Sequence, residues 1–487
     1  MRIEQFVIEG LGHLSTLVSD DDAGVAAVVD PRRDVDVYLA AARARDLRIT
    51  HVVETHLHND YVSGGRDLAA LTGAQHVIGA GAGLRYEHRP ARNGDAFELG
   101  DLRFTALDTP GHTPEHVSYA VADTSRADEP VLMFTGGSLL VGAVGRTDLL
   151  GEENAVPYAR AMHASLHDVL LRHEDFVGVY PTHGAGSLCS TGIASTPSST
   201  IGFERRHNRL LQPMDVEAFA GALLSGQPTF PRYFARMRPM NQAGPALLGG
   251  HVPASRPLDV VETQDALVAG ALLVDARPAT AWTVGHAPGS ISIPVGSSFG
   301  TWLGWVVDHD RPIVLILDHP GDADDLFRQA LRIGHETVLG HLRGGFRAWV
   351  DAGLPLESTE RLTVDELAGE LGAAEADAPF VLDVRQASEF EDGHVRGAWH
   401  VTAGSLPEEL DRLPRDRRIA VMCASGYRSS VASSMLAAAG FERVAWVADG
   451  VPAWRAAGYE LDEGEAGDRS PSDHAPRPEE PVAPHSH

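Results

Sequence analysis

The chain is poor in cysteine, poor in basic charge and without long apolar runs. Cys189 and Cys423 are the only two cysteines in 487 residues, and they lie far apart. Two isolated thiols make no disulfide framework, so a reducing cytoplasm is the expected compartment. Lysine and arginine number 40 against 67 acidic residues, a formal net charge of -27. That balance argues against nucleic acid or an anionic membrane as a partner and serves solubility. No stretch approaches the ~20 apolar residues of a membrane-spanning helix. The segment Met1 to Phe6 has no basic region followed by an apolar core, so no secretory signal is expected.

What is present points to several domains. The length suggests roughly three, and a 43% hydrophobic content is ample for packed cores. Residues 1 to 250 alternate short apolar strands, such as Gly24 to Val29, Leu47 to Val53, Val131 to Thr135 and Val177 to Tyr180, with helical stretches and glycine-rich turns. That alternation predicts a layered α/β domain. The most informative run is Thr55-His56-Leu57-His58-Asn59-Asp60, just past a strand. Histidines at i and i+2 project the same way and reach one metal ion, with Asp60 close enough to bind or orient. Thr109-Pro110-Gly111-His112-Thr113, after the strand-like run Leu102 to Leu107, brings a further histidine.

Beyond a linker at Arg256-Pro257-Leu258 the chain repeats itself. Leu273-Val274-Asp275-Ala276-Arg277 returns as Leu382-Asp383-Val384-Arg385, Gly285-His286 as Gly393-His394, and the run ending in Trp349 as the run ending in Trp454. Two copies of one α/β module are expected, at 258–357 and 361–462, followed by a disordered acidic tail at 463–487. In the second copy the apolar strand Ile419 to Met422 runs into Cys423-Ala424-Ser425-Gly426-Tyr427-Arg428-Ser429, and a helix is expected from Ser430 to Ala439. A cysteine between a strand and a helix N-terminus sits among converging N–H groups, a field that stabilises a thiolate or a persulfide anion. Arg428 adds fixed positive charge and Gly426 permits the tight loop. In the first copy Asp318 stands in the place of the cysteine. An acidic loop repels a persulfide, so that copy is expected to be a spacer or docking module.

Asp383-Val384-Arg385, Gly393-His394 and the Cys423 loop resemble the rhodanese (sulfurtransferase) family. The resemblance implies that Cys423 and Arg428 are catalytic, and that Ala424, Ser425, Gly426, Tyr427 and Ser429 cradle a persulfide. The N-terminal part resembles the metallo-β-lactamase superfamily through His56-x-His58-x-Asp60, Thr109 to Thr113, Phe134-Thr135-Gly136-Gly137, Gly145-Arg146-Thr147-Asp148 and Pro181-Thr182-His183-Gly184. The fold expected is therefore an αββα sandwich over 1–250, followed by two rhodanese-like doubly wound α/β domains. The whole chain resembles persulfide dioxygenase–rhodanese fusion proteins.

Two departures from the family pattern matter. Tyr61 stands where dinuclear hydrolases carry a histidine, which speaks for one metal ion. Gly137 stands where the dioxygenases carry a metal-binding aspartate. One Fe(II) per chain is expected, with Zn²⁺ or a metal-free state as alternatives. Three outcomes follow from Gly137: His58 joins His56 and His112; Asp60 or Asp148 supplies the carboxylate; or the domain only binds a persulfide. By the resemblance Arg146 binds a substrate carboxylate, or else pairs with Asp148. His116 lines the pocket or lies on the surface, and His183 is a hydrogen-bonding substrate residue. Cys189 is a sulfur relay or a small buried thiol. The implied activity is oxidation of a small-molecule persulfide, such as glutathione persulfide, to sulfite and thiol, coupled to sulfur transfer through Cys423. Its rivals are a zinc thioester or lactone hydrolase of glyoxalase II type and a metal-free persulfide-binding domain. Persulfides and thiols are the expected partners, and a homo-oligomer the expected assembly.

Overall fold

The computed structural model describes residues 1–372 and 378–464. The acidic tail expected from residue 463 lies, from 465 on, outside the described residues. The chain divides into two compact units. One comprises Met1–Pro257, Val295–Pro312 and His319–His341; the other comprises Leu258–Pro294, Ile313–Asp318 and the chain from Leu342.

The first unit is built on two six-stranded sheets. One has β1 (Arg2–Ile8), β2 (His13–Asp20), β3 (Val25–Val29), β4 (Arg48–Val53), β5 (Gln75–Gly79) and β6 (Arg89–Ala91) side by side in sequence order. The other has β7 (Ala96–Leu99), β8 (Leu102–Asp108), β9 (Val117–Asp123), β10 (Pro130–Gly136), β11 (Gly178–Pro181) and β12 (Ser199–Thr200). Strand β8 alternates buried and part-exposed residues, the period-2 pattern of a sheet with one core face. Val18, Val29, Val53 and Val77 of the first sheet share one core with Phe97, Phe104, Tyr119 and Phe134 of the second. On the outer faces Tyr38 and Ala42 of the helix Asp36–Ala44 cover the first sheet. Ala159 and Met162 of the helix Glu152–Ala164 cover the second. The order helix, sheet, sheet, helix is the layered sandwich expected.

The first unit also takes up the helices Phe299–Val306 and Ala323–Arg332 from the expected 258–357 module. Arg332 is clamped on buried Asp34 by two hydrogen bonds of 2.8 and 2.7 Å, and its carbonyl accepts from Val62 N at 2.7 Å. The segment that follows Asp60 and Tyr61 is therefore tied to that helix end.

In the second unit the strands Ile313–Ile316, Leu272–Asp275 and Ile291–Ser292 pair in parallel in that order. Ile419–Met422, Phe380–Asp383 and Trp399–His400 repeat the arrangement. Parallel strands are covered on both faces, which is why they read as unbroken apolar runs rather than alternating ones. Both copies open with a capping box, Asp259 with Glu262 and Thr363 with Glu366, which satisfies two otherwise orphaned N–H groups at each helix start.

Candidate functional site

Every strand that carries a metal motif delivers it at the same end of the sandwich. β4 leads into His56 and His58, β8 into His112, β10 into Gly136 and Gly137, and β11 into His183. Gly136 holds a positive φ of 55°, and a β-carbon there would run into His116 and Thr55, so the turn needs glycine.

Three imidazoles form a triangle. Ring centroids of His56 and His112 lie 4.9 Å apart, and each lies 5.4 Å from His183. In each ring the Nδ1 side is engaged on the outside: His56 with Thr55 Oγ1 at 2.8 Å, His112 with the Arg146 carbonyl at 2.8 Å, and His183 with Asp60 Oδ2 at 3.2 Å. This leaves the Nε2 atoms for the interior, where His56 and His183 approach to 3.3 Å. Outer partners of this kind fix the ring orientation and tautomer that a metal ligand needs. All three rings are buried. Burial and the neighbouring histidines hold His56 far below the ordinary range, and burial brings His112 down to about 3, so both are neutral and fit to ligate. Burial opposes a charge on His183, but Cys189 and Asp60 outweigh it and push its pKa well up. Asp60 is held below the ordinary carboxylate range: burial raises it, and His183, His58 and His13 more than reverse this. The pair favours a cation at that corner.

The other expected residues are placed as follows. His58 lies within ligating reach of His56 and His183, yet its Nε2 faces Asp30 Oδ1 at 3.4 Å. His183, expected beside the substrate, occupies the third corner of the triangle instead. Asp60 meets the outer side of His183. Asp148 forms a two-pronged pair with Arg146, both bonds 2.6 Å, and the remaining Arg146 donor reaches the carbonyls of Leu188 and Pro228. That guanidinium is buried and engaged by protein atoms, the ion-pair alternative of its two readings. His116 is buried, accepts from Gly137 N at 2.9 Å and meets Thr109 Oγ1 at 2.9 Å. Both its nitrogens are thus engaged away from the triangle. Tyr61 is stacked 3.8 Å from His13 and 4.3 Å from His58, closing the position of a second ion with an aromatic ring. A β-carbon built on Gly137 would overlap Cδ2 of His112, so the histidine itself fills the room of the missing carboxylate.

Several contributing residues were not among the expected site residues. Asp30 accepts from Thr55 N, Thr55 Oγ1 and Thr182 Oγ1, joining the β4 and β11 turns. Asn241 donates to the carbonyls of His58 and Tyr61, both at 3.0 Å, and accepts from Ser63 N. Glu115 accepts from Leu57 N and is gripped by Arg238.

As a metal site the residues fit. His58 is buried and has no hydrogen-bonded ring nitrogen. Donor atoms of His56, His58 and His183 lie within 4.8 Å of one another, as do those of His112, His183 and Cys189.

The second site is the Cys423 loop. The thiol is fully buried at the end of the strand Ile419–Met422 and ahead of the helix Tyr427–Ala438. Gly426 N donates to Sγ at 3.1 Å, and Ser429 Oγ lies 3.4 Å from it. Gly426 takes a φ of 86°, and a β-carbon there would overlap the Ala448 carbonyl. Arg428 forms a two-pronged pair with Glu389, at 2.5 and 2.7 Å. Tyr427 Oη donates to the Pro294 carbonyl and Ser434 Oγ accepts from Ser292 N, so the first copy buttresses the helix behind the cysteine.

Family models match at both places: the metallo-beta-lactamase superfamily over residues 8–172, and the rhodanese-like domain over 259–352 and 363–457. The hydroxyacylglutathione hydrolase of Polaromonas sp. is 32% identical over 170 residues, which are 34% of this chain and 60% of that protein. The mitochondrial persulfide dioxygenase ETHE1 of Homo sapiens is 30% identical over 175 residues, 34% of this chain and 62% of that protein. The chain thus spans about six tenths of the length of these two relatives. The crystal structure of a metallo-beta-lactamase from Staphylococcus aureus matches with a TM-score of 0.62 and 30% identity, over 70% of this chain and 98% of that one.

Proposed function

From the premise that the chain belongs to the metallo-β-lactamase superfamily and carries two rhodanese-like domains, we propose that it oxidises a small-molecule persulfide at a one-metal centre and transfers sulfane sulfur through Cys423. The observation that carries the choice is Tyr61, stacked between His13 and His58 where a second ion would need a donor. A hydrolase of glyoxalase II type uses a metal-bridging hydroxide, and a phenol ring is a poor replacement for the missing imidazole. The similarity to a hydroxyacylglutathione hydrolase and to a persulfide dioxygenase supports a thiol-derived substrate in either case.

In this reading His56, His112 and His183 hold the ion, Asp60 orients His183 through Nδ1, and the buried setting keeps bulk water from a reactive persulfide. An Fe(II) ion bound there would supply the redox chemistry that O₂ needs. At the other site the Cys423 thiolate, stabilised by Gly426 N–H, attacks the outer sulfur of a sulfane donor. The donor's S–S bond breaks, the donor leaves as its thiolate or as sulfite, and Cys423 carries the persulfide. A second thiol or sulfite then attacks that terminal sulfur and restores the Cys423 thiolate. Both sites handle one sulfur species, a chemical reason for their fusion.

Metal analysis of protein made without a histidine tag tests the first half: one iron per chain is expected, and two zinc ions would support the hydrolase. Sulfur transfer from thiosulfate to cyanide tests the second half. Transfer that survives Cys423→Ala would remove it.

A further inference from the structure

We infer that Cys189 is the anionic ligand of the N-terminal metal centre, completing with His56, His112 and His183 a site of three nitrogens and one sulfur. The inference rests on the metal-centre half of the proposed function and names the donor that replaces the carboxylate absent at Gly137.

Elimination leads to it first. The carboxylates around the triangle are turned elsewhere, Asp30 to Thr55 and Thr182. Asp60 approaches Nδ1 of His183, the outer side of that ring. Asp148 gives both oxygens to Arg146. A side chain at Gly137 would collide with His112. Three imidazoles bring no negative charge as ligands and leave that of a divalent ion uncompensated in a buried place, which is costly.

Position points the same way. Sγ of Cys189 and the nearest ring nitrogens of His112 and His183 all lie within 4.8 Å of one another, the spread of donors around one ion. His56 Nε2 lies 3.3 Å from His183 Nε2, so the group of His112, His183 and Cys189 adjoins that of His56, His58 and His183 through His183. Cys189 is buried. Its backbone is tied down at both ends: its N–H donates to Ser187 Oγ at 3.2 Å, and its carbonyl accepts from Arg146 N at 2.8 Å. The carbonyl of the same Arg146 receives His112 Nδ1. One residue thus holds both His112 and Cys189 in place. A thiolate with imidazoles suits Zn²⁺ and Fe(II) and disfavours hard ions such as Mg²⁺.

Cobalt(II) gives the test, because a thiolate ligand produces an intense near-ultraviolet sulfur-to-cobalt absorption that histidine and carboxylate do not. In full-length Cys423→Ala protein the only thiol left is Cys189. One cobalt per chain with that absorption is the expected result. Adding Cys189→Ala should abolish the absorption and weaken cobalt binding at least about tenfold. If that variant fails to fold, Cys189→Ser keeps the volume and gives the same reading, checked by circular dichroism. Cobalt bound one to one without the sulfur absorption overturns the inference and leaves the metal centre standing. No cobalt bound by any variant overturns both.

Discussion

The two rhodanese-like copies share their scaffold and differ at their loops. In the first, Arg277 grips Asp275 and reaches the Gly285 carbonyl at 2.8 Å; in the second, Arg385 grips Asp383 and reaches the Gly393 carbonyl at 2.8 Å. His286 stacks on Trp282 at 3.8 Å, and His394 on Phe390 at 3.6 Å, each with Nδ1 on the carbonyl four residues back. After the central strand the copies part. Cys423 is buried in a cradle of N–H and hydroxyl groups, whereas Asp318 is exposed ahead of a short 3-10 turn. The motifs that announce the family in sequence therefore hold the frame, and the chemistry resides in a few residues the frame presents. The first copy keeps the frame without the cysteine: its helix Ala323–Arg332 anchors on Asp34 and its strand end buttresses the helix behind Cys423.

The largest effect should come from the loop. Cys423→Ser is expected to lower thiosulfate-to-cyanide sulfur transfer by about three orders of magnitude or more, and Asp318→Ala to leave it unchanged. Transfer lost on changing Asp318 would end the view of the first copy as a frame. Next comes the frame itself. Asp275→Ala and Asp383→Ala each strand a buried arginine, at a cost of about 3–5 kcal/mol. Urea unfolding should show losses of similar size, and a large loss in one copy only would show that the shared geometry is not shared energetics.

The separation of frame from chemistry extends to the metal centre, where legibility in the sequence was uneven. The His56 to Asp60 run was readable because a strand and an i, i+2 pair are local. The same holds for Cys423, and for the repeat, because Asp-x-Arg and Gly-His recur in order. His183 as the third corner was half readable: it stands where dinuclear relatives place a second-metal ligand, but Tyr61 beside Asp60 turned the reading to a substrate residue, and only closure of the sandwich brings its Nε2 to 3.3 Å from that of His56. The engagement of His58 by Asp30 was not readable, since nothing marks one buried aspartate among 67 acidic residues. The crowding at Gly137 is likewise a property of packing: the gap in the motif is visible, but not that His112 fills it.

That crowding yields a smaller effect. Gly137→Asp, which restores the family's residue, should weaken metal binding about tenfold because His112 must move; tighter binding by calorimetry would show that the room exists. The smallest effect concerns Arg428. Burial raises Glu389, but Arg428 outweighs it and holds the carboxyl below its ordinary range. A depressed folded-state pKa means that the stabilisation is present above the unfolded value, ~4.3, and is lost as pH falls through the folded one. The pair is half-exposed, so its worth is about 0.5–1 kcal/mol. Glu389→Gln should flatten the fall of thermal stability below about pH 4, and an unchanged profile would show that the pair contributes nothing.

The central claim is a one-ion centre that oxidises a persulfide, and oxygen uptake addresses it directly. Anaerobically iron-loaded protein carrying Cys423→Ala, mixed with glutathione persulfide and air-saturated buffer, should consume one O₂ for each sulfite formed, and His183→Ala should stop it. Iron bound one per chain with no oxygen uptake would contradict the account.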